Sequence, residues 1–138
     1  MRSPDYLTAV GIGVSDLKRS VDFYTRVLGM QQTQVFKLDY MDEVVVAHEG
    51  RSALVLMHYT DGSVRNYKDN PVKLVFFVTD PAGLIEAIRT DGLEITHEVA
   101  PAESMGGTML GMAKDPDGYV IELIQAPAVR QSAASASV

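Results

Sequence analysis

The chain has 138 residues, 46% of them hydrophobic, and a formal net charge of -6, so it can bury one core without metals or disulfides. It contains no cysteine, which excludes disulfides and thiolate metal sites. Its 12 lysines and arginines are scattered and no apolar run approaches the roughly 20 residues that span a bilayer, so we expect a cytoplasmic protein that binds neither nucleic acid nor membranes.

The first half of the chain begins with a strand at residues 7–14, and Asp16 can cap the helix that follows. An apolar stripe at helical spacing then ends at Gly29; it consists of Leu17, Val21, Tyr24 and Leu28. Three strand-like runs follow at residues 31–37, 43–48 and 53–58. This half therefore predicts one βαβββ unit.

The segment "YTDGSVRNYKDNP" separates this unit from the rest of the chain. It is too polar for a core and long for a connection. It is either a loose linker or a lid in which Tyr59, Arg65 and Tyr67 close over a ligand, and both interpretations remain open at this point.

The second half repeats the first. A strand at residues 72–78 precedes Asp80, which can cap a helix that begins with Pro81 and ends near Gly92. Strand-like runs follow at residues 93–99, 108–113 and 119–125, and the tail at residues 127–138 has the composition of a disordered segment.

Equivalent positions of the two halves are separated by a constant distance. Val14 and Val78 are 64 positions apart, as are Asp16 and Asp80. A constant offset of this kind indicates a duplicated supersecondary unit. We therefore predict an α+β fold in which one domain, residues 1–126, contains two βαβββ modules at about residues 5–58 and 72–126.

Three segments carry a resemblance to a known family: "VGIGVSDLKRSVDFYTRVLGM", "LVFFVTDPAGLIEAIRTDG" and "KDPDGYVIELIQ". They resemble the vicinal oxygen chelate superfamily, which includes glyoxalase I, bleomycin-resistance proteins and extradiol dioxygenases. The resemblance implies two βαβββ modules whose curved mixed sheets surround a cleft, commonly in a homodimer. In many members it also implies a divalent metal held by inward side chains of the first and last strands of each module.

Most of the implied metal ligands are missing from this chain. The two first-strand positions, usually histidine, fall on Ala9 and Lys73, and the fourth-strand position falls on Leu56; only the final-strand carboxylate remains, as Glu122. One carboxylate beside an ammonium group is a poor metal site, so we predict neither a metal nor another cofactor. A displaced site that uses His58 with Glu122 remains an alternative.

Strand alternation predicts which side chains line the cleft. We expect Lys73 and Glu122 to form a charged pair in one largely apolar cavity with a small-molecule ligand. The predicted ligand-binding residues are Ala9, Gly11, Leu54, Leu56, His58, Val75, Phe77 and Met112.

These residues allow three functions. In the first, Glu122 transfers protons and Lys73 stabilises negative charge in a metal-independent isomerase or lyase that acts on a small carbonyl or cyclic metabolite. In the second, the protein sequesters a drug or metabolite without chemistry, as bleomycin-resistance proteins do, and the charged pair is only structural. The third is a metal-dependent lyase or dioxygenase with displaced ligands.

Overall fold

The computed structural model describes residues 2–128. The predicted disorder of the tail concerns mainly residues 129–138, which lie outside the described part of the chain. The first module contains β1 (Ala9–Gly13), α1 (Leu17–Asp22), a π-helical segment (Phe23–Val27), β2 (Gln31–Lys37), β3 (Met41–Ala47) and β4 (Ala53–Tyr59). The second contains β5 (Lys73–Val78), α2 (Pro81–Thr90), β6 (Ile95–Ala102), a short 3-10 helix (Glu103–Met105), β7 (Thr108–Lys114) and β8 (Val120–Gln125).

Each module forms one four-stranded mixed sheet, and both sheets have the same topology. The strand order is β1-β4-β3-β2 in the first sheet and β5-β8-β7-β6 in the second. The first strand of each module pairs in parallel with the last, and the other pairs are antiparallel. The predicted α+β fold of two βαβββ units is therefore confirmed.

The predicted helix caps are also present. The Asp16 carboxylate accepts a hydrogen bond from the backbone N–H of Arg19, and that of Asp80 accepts one from Gly83. The first helix departs from the prediction, because after Asp22 it widens into a π-helical turn in which the N–H of Leu28 bonds the carbonyl of Phe23. Tyr24 lies fully buried within this turn.

One hydrophobic core contains residues of both modules. Ile12, Val14 and Phe23 come from the first, and Ile85, Ile121 and Leu123 come from the second. None of the helices in residues 2–128 is long and apolar enough to span a bilayer.

Buried and partly buried hydrogen bonds join the two modules where β1 ends and β8 begins. The Tyr24 hydroxyl donates to the Asp115 carboxylate at 2.7 Å, and the backbone N–H and hydroxyl of Ser15 both donate to Asp117. The Tyr119 hydroxyl donates to the carbonyl of Gly13. These contacts, which we call the intermodule clamp, fix the end of β1 against the start of β8.

Burial shifts the pKa values of two clamp residues, Asp115 and Tyr24. Burial raises the pKa of Asp115, while the hydrogen bond from Tyr24 acts in the opposite direction. Burial and the nearby Asp115 carboxylate raise the pKa of Tyr24 well above its usual value, so its phenol remains a hydrogen-bond donor.

Candidate functional site

Each sheet packs one face on the helices and leaves the other, which we call its open face, available for a ligand. In the first sheet Ile12 packs in the core. Ala9, Gly11 and Gly13 alternate with it along β1 and therefore lie on the open face. Paired residues share a face, and the pairing places Ala53, Val55 and Met57 beside those three positions. The prediction for β1 therefore agrees with the structure.

The prediction for β4 is wrong by one residue. Leu54 pairs with Val10 and Leu56 with Ile12, and both leucines lie in the hydrophobic core; Leu56 has no exposed surface. They cannot contact a ligand on the open face. The run Ala53–His58 is apolar at nearly every position, so its sequence contains no alternation that would distinguish the two faces.

His58 shares the parity of Leu56 and does not belong to the open face either. Its Nδ1 lies 2.8 Å from the carbonyl oxygen of Val14, and its ring stacks on Tyr67 with 5.6 Å between ring centroids. The His58 side chain therefore does not have the orientation that its predicted role in ligand or metal binding requires, because its ring packs against Val14 and Tyr67.

Lys73 and Glu122 lie together on the open face of the second sheet. The Lys73 Nζ is 3.2 Å from Oε2 of Glu122, and the exposed fractions of the two side chains are 52% and 11%. Glu122 is thus an almost buried carboxylate beside a half-exposed ammonium group. Lys73 supplies the positive charge that neutralises Glu122 within its apolar strand.

Apolar side chains surround this ion pair. Val75 and Met112 stand directly opposite Glu122 on the two neighbouring strands, and Phe77 stands opposite Ile124. Val75 and Phe77 are 52% and 69% exposed, which is high for side chains of this size and leaves their surfaces available to a ligand or a second protein copy. The open face of the second sheet therefore combines one ion pair with accessible apolar surface.

The open faces of the two sheets do not line one common cavity in a single chain. Ala9 and Val55 line a depression of about 490 Å³ that contains only residues of the first module. Val75 and Phe77 contribute instead to depressions at the edge and end of β5. The side chains predicted to line one cavity are therefore not gathered around one depression of the single chain.

The glycines of β1 are partly covered by the protein itself. A Cβ atom at Gly11 would lie 2.9 Å from the sulfur of Met57, and one at Gly13 would lie 3.1 Å from the ring of Tyr67. The Tyr67 hydroxyl also accepts a hydrogen bond from the backbone N–H of Tyr59. The segment between the modules is consequently docked on the first module at Tyr67, and a ligand has less space along β1 than two glycines suggest.

The residues present do not fit the divalent metal that the fold family implies. At the open-face positions where metal ligands are implied, β1 carries Ala9, β4 carries Val55 and β5 carries Lys73. None of these side chains is a metal ligand as it stands. Correcting Leu56 to Val55 leaves this conclusion unchanged because both are apolar. Within residues 2–128 no group of three or more His, Asp or Glu side chains could hold a metal ion.

Glu43 is an open-face residue that the sequence analysis did not single out. It lies on β3, opposite Met57 on β4 and Phe36 on β2, and lines the depression of the first sheet. A carboxylate directly before the apolar run Val44–Ala47 was the available signal. The adjacent Asp42 made this signal hard to recognise, because two consecutive acids at the start of a strand are typical of a solvated turn.

Comparisons with known proteins agree with this fold. The family model of the Glyoxalase/Bleomycin resistance protein/Dioxygenase superfamily matches residues 6–123. The chain is 34% identical to a lactoylglutathione lyase of Escherichia coli over 119 residues, which cover 81% of this chain and 86% of the relative.

Solved structures show the same fold. Glyoxalase I of Zea mays matches with a TM-score of 0.76 and 26% identity, over 89% of this chain and 45% of that one. An antibiotic binding protein of Streptomyces sp. CB03234 matches with a TM-score of 0.70 and 20% identity, over 92% of this chain and the whole of that one. The second likeness concerns the fold alone.

Proposed function

The chain belongs to the Glyoxalase/Bleomycin resistance protein/Dioxygenase superfamily, and from this premise we propose that it is a glyoxalase-like lyase or isomerase in which Glu122 and Lys73 replace the metal-assisted chemistry of the family. The observation that carries the proposal is the ion pair at 3.2 Å in a place where the family implies metal ligands. The relationship to proteins named lactoylglutathione lyase supports the class of reaction. A small carbonyl compound is the proposed substrate.

The arrangement of the pair suggests a division of roles. Oε2 of Glu122 lies 3.2 Å from the Lys73 Nζ, and in the proposed reaction the Glu122 carboxylate accepts a proton from a carbon next to a substrate carbonyl. The Lys73 ammonium carries three N–H donors, and those not used by Glu122 can stabilise the negative charge that develops on the substrate oxygen. Val75 and Met112 supply the apolar surface against which the substrate packs.

Substitution of Glu122 tests the proposal. In Glu122→Gln we expect kcat/KM to fall by about 10²- to 10⁴-fold, since the amide cannot accept the proton, while the fold remains intact. Substrates are lactoylglutathione and small carbonyl compounds without glutathione, assayed in both directions. Lys114→Met is the matched control, because Lys114 lies on the same face, on the other side of Val120 from Lys73, and pairs with Glu94 instead.

The absence of a metal requirement is tested separately. We expect activity to persist after chelation, and elemental analysis of the active protein to find less than one metal ion per chain. Unchanged turnover in Glu122→Gln, or activity that disappears with chelator and returns with a divalent metal, contradicts the proposed mechanism.

A second function is favoured by the exposed Val75 and Phe77, which suit an apolar ligand that is held without reaction. This sequestering function is separated from the first by incubating protein with ligand and analysing what is recovered. Intact ligand supports sequestration, and a new product supports the enzyme.

We also propose a homodimer. The exposed apolar side chains of β5 and the depression beside Ala9 belong to different open faces of one chain, so two copies are needed for the sheets to enclose a ligand between them. The cytoplasmic location stays a prediction from the sequence.

A further inference from the structure

We propose that the open face of the first sheet binds the ammonium group of an apolar amine, and that Glu43 is the anionic partner. This inference goes beyond the proposed function, which concerns the ion pair of the second sheet. It assigns a cation-binding position to the first sheet and identifies the chemical class of its ligand.

The neighbours of Glu43 are apolar. Across the sheet, Phe36 and Met57 stand directly opposite it on the two adjacent strands and share its face. Val45, two residues along β3, continues the same face. The Glu43 carboxylate therefore emerges from a floor of one aromatic ring, one thioether and one aliphatic side chain.

Glu43 has no cationic partner in the described part of the chain. The ion pairs found among residues 2–128 involve other carboxylates, and no side-chain hydrogen bond within those residues reaches the Glu43 carboxylate. A half-buried carboxylate loses part of its hydration, and that loss is recovered when an ammonium group binds. The Glu122 carboxylate differs in this respect, since Lys73 already pairs with it.

The surrounding surface has room for a ligand. The depression of about 490 Å³ is lined by Glu43 and Phe36 at one end and by small residues of β1, β3 and β4 at the other; these are Ala9, Ala47 and Ala53. Arg51 also lines the depression, but at the end where Ala47 pairs with Ala53. Ala47 lies four residues, or about 13 Å, along β3 from Glu43. The cation site and the guanidinium are therefore at opposite ends.

Phe36 adds selectivity for a cation. Its ring is 43% exposed beside Glu43, and an ammonium group that contacts both gains a cation–π attraction in addition to the charge pair. The net charge of -6 also attracts cations to the molecule as a whole. A neutral molecule of the same shape receives neither contribution.

The test compares phenylbutylamine with phenylbutanol, which have similar apolar parts but differ in charge. Binding to the isotopically labelled protein is measured by NMR titration. We expect the amine to bind at least about tenfold more tightly than the alcohol, with shifts centred on Val45 and Val55. That preference should disappear in Glu43→Gln and persist in Asp42→Asn, because Asp42 points to the opposite face of β3.

Equal affinity for the amine and the alcohol would overturn the proposal, and so would an amine preference that survives in Glu43→Gln. Shifts centred on Lys73 and Phe77 would also contradict it, by placing the amine on the second sheet. The wild-type comparison of the two probes remains informative if a variant fails to fold. Since no turnover is measured, failure of the chemistry proposed for Glu122 leaves this outcome unaffected.

Discussion

Strands β1 and β5 occupy the same place in the two modules, yet their open faces have opposite character. Ala9, Gly11 and Gly13 leave β1 almost without side-chain volume, whereas the equivalent positions of β5 are Lys73, Val75 and Phe77. The same backbone topology thus supports a nearly bare strand in one module and a charged, apolar strand in the other. Duplication has preserved the pairing of the strands, while the open faces have acquired different side chains.

The difference also separates surfaces that the protein covers from surfaces that it leaves exposed. On β1, Met57 of the first module and Tyr67 of the segment between the modules cover the glycines, and the intermodule clamp fixes the end of the strand. On β5, Val75 and Phe77 remain exposed. Substitutions on β1 should therefore change the stability of one chain, and substitutions on β5 should mainly change ligand binding or association.

The largest effect on stability is expected when Gly13 of β1 is replaced by phenylalanine, the residue at the equivalent position 77 of β5. In Gly13→Phe the new ring needs the space of Tyr67, so we expect a loss of about 3 kcal/mol in the free energy of unfolding, measured by urea denaturation. The double variant Gly13→Phe/Tyr67→Ala should recover part of this loss. A cost of the single variant below about 1 kcal/mol would show that Tyr67 leaves the site easily.

A smaller effect is expected in the clamp that fixes β1. Tyr24→Phe removes the hydrogen bond to Asp115 and should cost about 2 kcal/mol near neutral pH. The lost bond lowers the pKa of Asp115 in the native protein, so this pKa rises further in the variant.

The cost of Tyr24→Phe should depend on pH in a defined direction. When folding raises the pKa of a carboxyl group, the free energy of unfolding falls as the pH rises above the ordinary pKa of that group. In Tyr24→Phe the pKa of Asp115 is raised further, so this fall continues over a wider range of pH. The difference in unfolding free energy between wild type and variant should therefore grow between about pH 4 and pH 7. An equal difference at both pH values would show that Tyr24 does not stabilise the ionised form of Asp115.

The smallest effect on chain stability is expected on β5. Phe77→Ala should change the free energy of unfolding of the single chain by no more than about 0.5 kcal/mol, because the ring is mostly exposed. The same variant should weaken the proposed homodimer in analytical ultracentrifugation. A variant that associates as the wild type does would remove Phe77 from the dimer interface.

The caps and the repeat were readable in the sequence because they depend on local chemistry. Asp16 and Asp80 accept backbone hydrogen bonds wherever a helix follows them, and their constant offset reports the duplication without any knowledge of packing. The pairing of Lys73 with Glu122 could be predicted because both fall on metal-ligand positions of the family that the sequence resembles. Their roles in the reaction stay predictions.

The errors concern long-range pairing. The orientation of Leu54, Leu56 and His58 depends on the register of β4 with β1, which an apolar strand does not encode in its own pattern. The position of Tyr67 over Gly13 depends on how the segment between the modules folds back. Glu43 acquires its significance only when Phe36 and Met57 are brought to either side of it.

The segment between the modules belongs to both of them, and its contacts divide it at Lys68. Tyr67 packs on Gly13 and His58 of the first module, whereas the backbone N–H of Asp69 donates to Asp117 and the side chain of Asn70 donates to Tyr119 of the second. A split version of the protein should accordingly be cut at Lys68. Two fragments divided there would each retain the residues that complete its own surface, whereas a cut at residue 60 would remove Tyr67 from the half that it covers.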